Sequence, residues 1–179
     1  ACPAVPGMDA GEDAGPVDAG VDAGAPRDLD VVVVRLNADG TLDTSFGAEG
    51  VARVDLGAAT GAARDTVYGF DRDSAGRLVL FGSTKATGRS DVDRFVARLT
   101  PAGQLDPTFA TGGVFRLDVV GTNDSARHGF VQADGKLVAS GYSSIPTGVV
   151  QADGGVQSTN EIVLLRLTAD GKADATFGD

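Results

Sequence analysis

The sequence predicts an all-β fold, a β-propeller-like repeat of four-stranded antiparallel blades, and three observations lead there. One motif recurs in order: VVRLNADGTLDTSFG at 33–47, VARLTPAGQLDPTFA at 96–110 and LLRLTADGKADATFGD at 164–179. Its arginines fall at 35, 98 and 166, intervals of 63 and 68, which marks one supersecondary unit used repeatedly. A companion motif alternates with it, DTVYGFDRDSAGRLVLFG at 65–82 and DSARHGFVQADGKLVASG at 124–141. Finally, no stretch keeps apolar residues at helical spacing for three turns, and 26 glycines are too many for helices.

Taken in order, residues 1–29 come first as an acidic tether. The leader holds four of the seven prolines and four copies of Asp-Ala-Gly, with no aromatic residue. Such a segment buries too little apolar area to offset its ordering entropy, and proline and like charge keep it extended. Repeat 1 spans 30–93 and supplies the strands VVVVRLN, GVARVDL, TVYGFDRD and GRLVLFG. Repeat 2 spans 94–161 and supplies RFVARLT, GVFRLDV, SARHGFVQ and GKLVASG, while 162–179 open a third copy with IVLLRLT. Four strands per unit match a propeller blade, so nine strands make about two and a quarter blades. Closed propellers have at least about four, so the expectation is that later repeats of the same polypeptide, or a neighbouring subunit, supply the missing strands.

The turns set the register. Ala38-Asp39-Gly40, Pro101-Ala102-Gly103 and Ala169-Asp170-Gly171 each read as a three-residue hairpin loop, a type I turn completed by a left-handed glycine. That count sets Arg35 opposite Asp43, Arg98 opposite Asp106 and Arg166 opposite Asp174. Three identical Arg–carboxylate pairs suit structural ion pairs that pin each hairpin better than three copies of a catalytic site. Phe46, Phe109 and Phe177, three residues past each aspartate, are expected to plug the gap between successive blades; a stacked carbohydrate site is the alternative.

Chemistry is sparse. His128 is the only histidine, which excludes zinc sites built on several histidines, and no G-x-S-x-G or G-x-x-x-x-G-K-(S/T) occurs. The expectation is therefore no catalytic residues and no enzyme activity. Calcium is the one cofactor the sequence leaves open: Asn37, Asp39 and Asp43 resemble the start of an Asp-rich loop, but the second copy lacks the central carboxylate and no copy ends in a bidentate Glu. Residues 143–161 are longer than the matching 83–93 and carry their own ADG turn, a candidate contact surface.

A net charge of −10, with 25 acidic against 15 basic residues, argues against nucleic-acid partners. The single cysteine, Cys2, excludes an intrachain disulfide. In ACPAV it resembles a bacterial lipoprotein processing site, which would make Cys2 a lipidation point and the lipid the sole tie to a membrane.

The pattern R-L-x-x-x-G-x-x-D-x-(T/S)-F over 30–179, followed by Gly-Val and later by G-(R/K)-L-V, resembles the delta-60 repeat family. Ala102, Ala110 and Ala173 depart from it at the turn Asp, the Gly after Phe and the Leu before Asp. The resemblance implies propeller-like β-domains in secreted or surface proteins of bacteria, often behind a lipoprotein signal, with no catalytic residues to carry over. The resulting expectation is an extracellular or outer-membrane scaffold, adhesion or assembly module that binds a surface protein, a glycan or copies of itself. The alternative is a lectin-like or hydrolase propeller whose site lies in repeats beyond this chain.

Overall fold

The structure, a computed structural model, describes residues 29–56, 64–85, 90–119 and 121–178. Nine strands follow in order: β1 (Val31–Val34), β2 (Val51–Val54), β3 (Arg64–Arg72), β4 (Leu78–Lys85), β5 (Asp93–Leu99), β6 (Val114–Leu117), β7 (Asp124–Val131), β8 (Leu137–Val150) and β9 (Val156–Leu167). There is no helix among the described residues. All strand pairing is antiparallel, in sheets ordered β1-β2, β3-β4-β5-β6 and β7-β8-β9. Each strand coincides with one of the Val-, Leu- and Phe-rich runs bounded by Gly and Asp, which is where β-branched and aromatic side chains favour a pleated surface.

The sheets do not follow the repeat boundaries at 93 and 161. The four-stranded sheet takes β3 and β4 from the first unit, then β6 and all but the first residue of β5 from the second. Self-similarity in sequence fixes the period of a repeat but not its phase. Here blade and repeat are half a unit out of step, and the nine strands divide two, four and three.

Two cores lie on opposite faces of the four-stranded sheet, because alternate side chains of a strand point to opposite sides. Leu80, Phe95, Ala97 and Leu99 pack with Val31 and Val54 of the two-stranded sheet and with Leu56 just after it. Val79, Phe81 and Val96 pack with Ala126, Leu137, Ala139 and Leu167 of the three-stranded sheet. Strand β5 is therefore buried along its whole length.

The segment 143–161 forms a β-ribbon, not an irregular loop. Strand β7 stops pairing at Asp124↔Ser143, but β8 and β9 continue together to Val150↔Val156. Pro146 sits beyond the last β7 partner, so its missing N–H interrupts no second ladder. Every residue from Pro146 to Ile162 is exposed. The ribbon stands clear of the blade.

Two glycines bear a close approach. Register shifts at Val67/Gly69 and at Ala126/His128 bulge the first strand of the four-stranded and of the three-stranded sheet against the second. A Cβ on Gly82 would lie 2.0 Å from the Thr66 carbonyl oxygen, and one on Gly141 1.7 Å from that of Ser125. Gly141→Ala is expected to lower unfolding stability by about 3 kcal/mol, the upper end of overpacking costs. Gly148→Ala, with φ 78 and nothing within 4 Å of its Cβ, should cost only about 1–2 kcal/mol. Urea melts of the two variants check this ordering.

Candidate functional site

Each repeat builds the same cluster from the hairpin upward. The glycine of the turn takes a left-handed φ, 84° at Gly40 and 83° at Gly103 and Gly171. The turn then closes with the amide of Asn37 donating to the Thr41 carbonyl, 2.8 Å, and the amide of Asp43 donating to the Arg35 carbonyl, 2.9 Å. Arginine and aspartate thus face each other: Nε donates to the carboxylate Oδ2 at 2.8 Å in Arg35–Asp43, Arg98–Asp106 and Arg166–Asp174. The other carboxylate oxygen accepts from the amide and hydroxyl of Ser45, Thr108 or Thr176 two residues on. The guanidinium carbon lies over the phenylalanine ring, 4.6 Å from the centroid of Phe46 and of Phe109 and 4.7 Å from that of Phe177.

The cluster also reaches forward. Arg35 Nη1 donates to the Pro101 carbonyl, 2.6 Å, and Arg98 Nη1 to the Ala169 carbonyl, 2.6 Å. Beside these, the amide of Gly47 donates to the Ala102 carbonyl and that of Ala110 to the Asp170 carbonyl, both 2.8 Å. The glycine of the next turn lies against the ring: a Cβ on Gly103 would fall 2.9 Å from Phe46, and one on Gly171 2.8 Å from Phe109. Arginine, ring and amide together form a socket, and the turn of the following repeat fills it. Phe46 and Phe109 are wholly buried by this packing, whereas Phe177 remains 37% exposed. The cleft beside the first socket, about 410 Å³, is walled by Arg35, Asp43, Phe46 and Pro101, groups already bonded to one another.

The electrostatics follow. The Ser45 hydroxyl and amide, then Arg35, hold the Asp43 carboxyl below its usual range. At Asp106 burial pushes the carboxyl up, but the Thr108 hydroxyl and amide and the Arg98 guanidinium outweigh it, and the net shift is downward. Asp174 is lowered by the Lys136 ammonium, then Thr176, with Arg166 adding to both. All three stay ionised and accept hydrogen bonds, a poor disposition for proton transfer near neutral pH.

With this geometry established, one comparison places the chain. Its sequence matches the family described as a domain of unknown function (DUF5122) beta-propeller over residues 28–46, 76–109 and 132–177. The chain belongs to that family. The matched segments end at or beside the ring residue, on Phe46, Phe109 and Phe177, and each carries one whole Arg–Asp–Phe cluster. No curated protein matches the chain.

The calcium candidates are each bonded within their own hairpin. Asn37 donates to the Thr41 hydroxyl and the Leu42 carbonyl, Asp39 accepts from Thr41, and Asp43 serves Arg35 and Ser45. Carboxylates that do meet are elsewhere, Asp30 with Asp55 and Asp65, and Asp91 with Asp93 and Asp118, ligand atoms within 4.8 Å in each group. Their signal was available as spacing, since Asp30 and Asp93, and likewise Asp55 and Asp118, lie one repeat of 63 apart. In the first group Asp65 also accepts from the Leu56 amide and the Thr84 hydroxyl, and Asp30 pairs with Arg53. A second inter-sheet tie escaped the sequence reading: Arg94, fully buried, donates to the Ser143 hydroxyl at 2.7 Å and to Asp124 at 3.3 Å. His128 is exposed on β7, and Cys2 lies outside the described residues.

Arg98 and Asp106 are 4% and 7% exposed, so removing one partner strands a buried charge. Arg98→Ala should cost about 3–5 kcal/mol in denaturant unfolding. Arg98→Lys should restore only part, since one ammonium cannot serve three directions at fixed angles. The depressed carboxyls set the sign of the pH response. Their stabilisation is complete above the unfolded value near 3.9 and is lost as pH falls through the lower folded values. Tm should therefore hold down to about pH 4 and drop below it, towards the value of about 2 at which Asp170, held by Lys172 and Thr168, takes up its proton.

Proposed function

We propose that the chain is a non-catalytic β-propeller module of a bacterial cell surface, a scaffold or adhesion unit that presents loops to a partner and packs with copies of itself. Lipidation at Cys2 would anchor it, and residues 1–29 would hold the folded part clear of the membrane. The delta-60 resemblance favours this setting.

One observation carries the reading, the β8–β9 ribbon. A two-stranded ribbon is marginal in water unless something packs on it. This one extends past the blade with Val149, Val150 and Val156 exposed by 54, 66 and 55% at its tip. Apolar side chains at the end of a projecting hairpin suit contact with another surface. The polar groups along it, Thr147 donating to the Gln157 carbonyl and Ser144 donating to Asn160, tie the two strands to each other and hold the ribbon's shape.

The test is saturable binding of labelled protein to the surface of the bacterium that makes it. Replacing 146–158 by a two-residue turn should abolish binding while leaving the circular-dichroism spectrum and Tm of the blades unchanged. Turnover in a panel of ester and glycoside substrates would overturn the non-catalytic reading. Saturable glycan binding with a calcium-dependent rise in Tm would favour the lectin-like alternative, for which the two carboxylate groups offer oxygen ligands.

A further inference from the structure

We propose that the third socket, formed by Arg166, Asp174 and Phe177, binds the 38–40 turn of a second copy of this chain, so that copies join head to tail. The inference rests on the assembly half of the preceding reading and names the surfaces that perform it.

Two filled sockets within the chain define what fits. Both take a three-residue turn, both donate from Arg Nη1 to its first carbonyl and from the amide after the ring to its second, and both hold its glycine against the ring. The contacts are to backbone, so Pro101-Ala102 and Ala169-Asp170 are accepted alike, and only the glycine is required. Ala38-Asp39-Gly40 is identical in sequence to the turn that fills the second socket, Ala169-Asp170-Gly171. It has the same φ at its glycine. The space beside its glycine is open: no atom lies within 4 Å of a Cβ at Gly40.

The third socket is formed in the same way. Arg166 is paired with Asp174 and stacked over Phe177, with Nη2 on the Thr176 hydroxyl. Gly178, after the ring, has a left-handed φ of 88°; Gly47 and Ala110 at the same repeat position are also left-handed, at 58° and 46°. Among the described residues, Nη1 of Arg166 has no carbonyl partner.

The flanking faces match as well. Leu164 and Phe177 occupy the repeat positions of Val96 and Phe109, and they are 59% and 37% exposed where those two are 0%. Leu164 pairs with Ser140 and points away from the second core, as do Val138 and Arg166. On the complementary side, Val32 and Leu36 occupy the positions of Phe95 and Leu99, and they are 46% and 53% exposed where those two are 0%. Each face is the bare counterpart of one that the chain already buries inside itself.

The chain's own 38–40 turn does not fill this socket. Turn and socket sit at opposite ends of the three sheets, and closing them would make a three-bladed ring, below the smallest propellers of about four blades. Between copies the contact is heterologous, one surface meeting a different one, and such contacts form rings when the rotation closes. Two copies would bring six hairpins round one axis, within the range of about four to eight blades. A charge of −10 on each copy opposes the approach, so added salt should favour it.

Sedimentation equilibrium of the full chain, from low micromolar to millimolar protein, tests the proposal. Wild type should associate. Gly40→Val blocks the turn and keeps the socket; Phe177→Asp blocks the socket and keeps the turn. Each alone should associate at least roughly tenfold more weakly. Mixed, they retain one intact turn and one intact socket and should form a one-to-one heterodimer that grows no further. A wild-type chain that stays monomeric at millimolar protein, a mixture that stays monomeric while both variants keep the wild-type circular-dichroism spectrum, or variants that associate as wild type does would each overturn it. The ribbon-trimmed chain should self-associate normally. Loss of surface binding with association intact, or the reverse, therefore tells failure of the ribbon reading from failure of this one.

Discussion

In the second repeat Arg98 divides its donors in three directions: Nε to Asp106, Nη2 to the Thr108 hydroxyl and Nη1 to the carbonyl of Ala169, 71 residues on. The first two lock the arginine's own hairpin, and the third locks the next hairpin to it. Only a planar fork of fixed geometry does all of this with one side chain. Because the aspartate holds the guanidinium over Phe109, the ring is pinned as well, and it becomes the floor on which Gly171 rests. Blade spacing is thereby set by a hydrogen bond and a ring thickness. Apolar burial then drives the collapse of the faces that this spacing brings together.

The glycine of each turn serves two ends at once. Its left-handed φ completes the type I hairpin, which is a local requirement. Its missing Cβ lets the turn descend onto the preceding ring, which is a tertiary one. Ala110 shows how strongly the second requirement is enforced. Set after Phe109, it adopts φ 46°, a region costly to any residue with a Cβ, while its amide donates to the Asp170 carbonyl. Gly47 does the same without strain.

How much of this was legible in the sequence depended on how far each interaction reached. The Ala-Asp-Gly turns and the eight-residue spacing from Arg35 to Asp43 are local, and counting round a hairpin was enough to set those residues opposite each other. The strands were readable for the same reason, as short apolar runs between glycines. Arg35 to Pro101 was not readable, since nothing in the arginine's neighbourhood names a carbonyl 66 residues away. Nor was the tie from Arg94 to Ser143, which joins two strands through side chains common in any sequence. The ribbon at 143–161 was hidden by Pro146, Gly148 and Gly154, residues that ordinarily break strands. Here the proline falls where no second neighbour needs its amide, and the glycines occupy a bulge and a turn.

The half-unit offset between repeat and blade has a consequence for folding. The four-stranded sheet draws strands from both sides of the boundary at 93, and each filled socket joins one repeat to the next, so neither a repeat nor a blade is closed on itself. Exposure records where a neighbour is missing. Phe70 pairs with Leu80 and shares its face, yet it is 70% exposed while Leu80 is 2%. The difference is that the two-stranded sheet covers Leu80 and stops short of Phe70. In an array whose stability is a sum of units and nearest-neighbour contacts, such a residue contributes little until the adjoining strands arrive. The fold is therefore cooperative along the chain, and Leu36, Leu164 and Phe177 stay exposed where the repeating contact has no partner among the described residues.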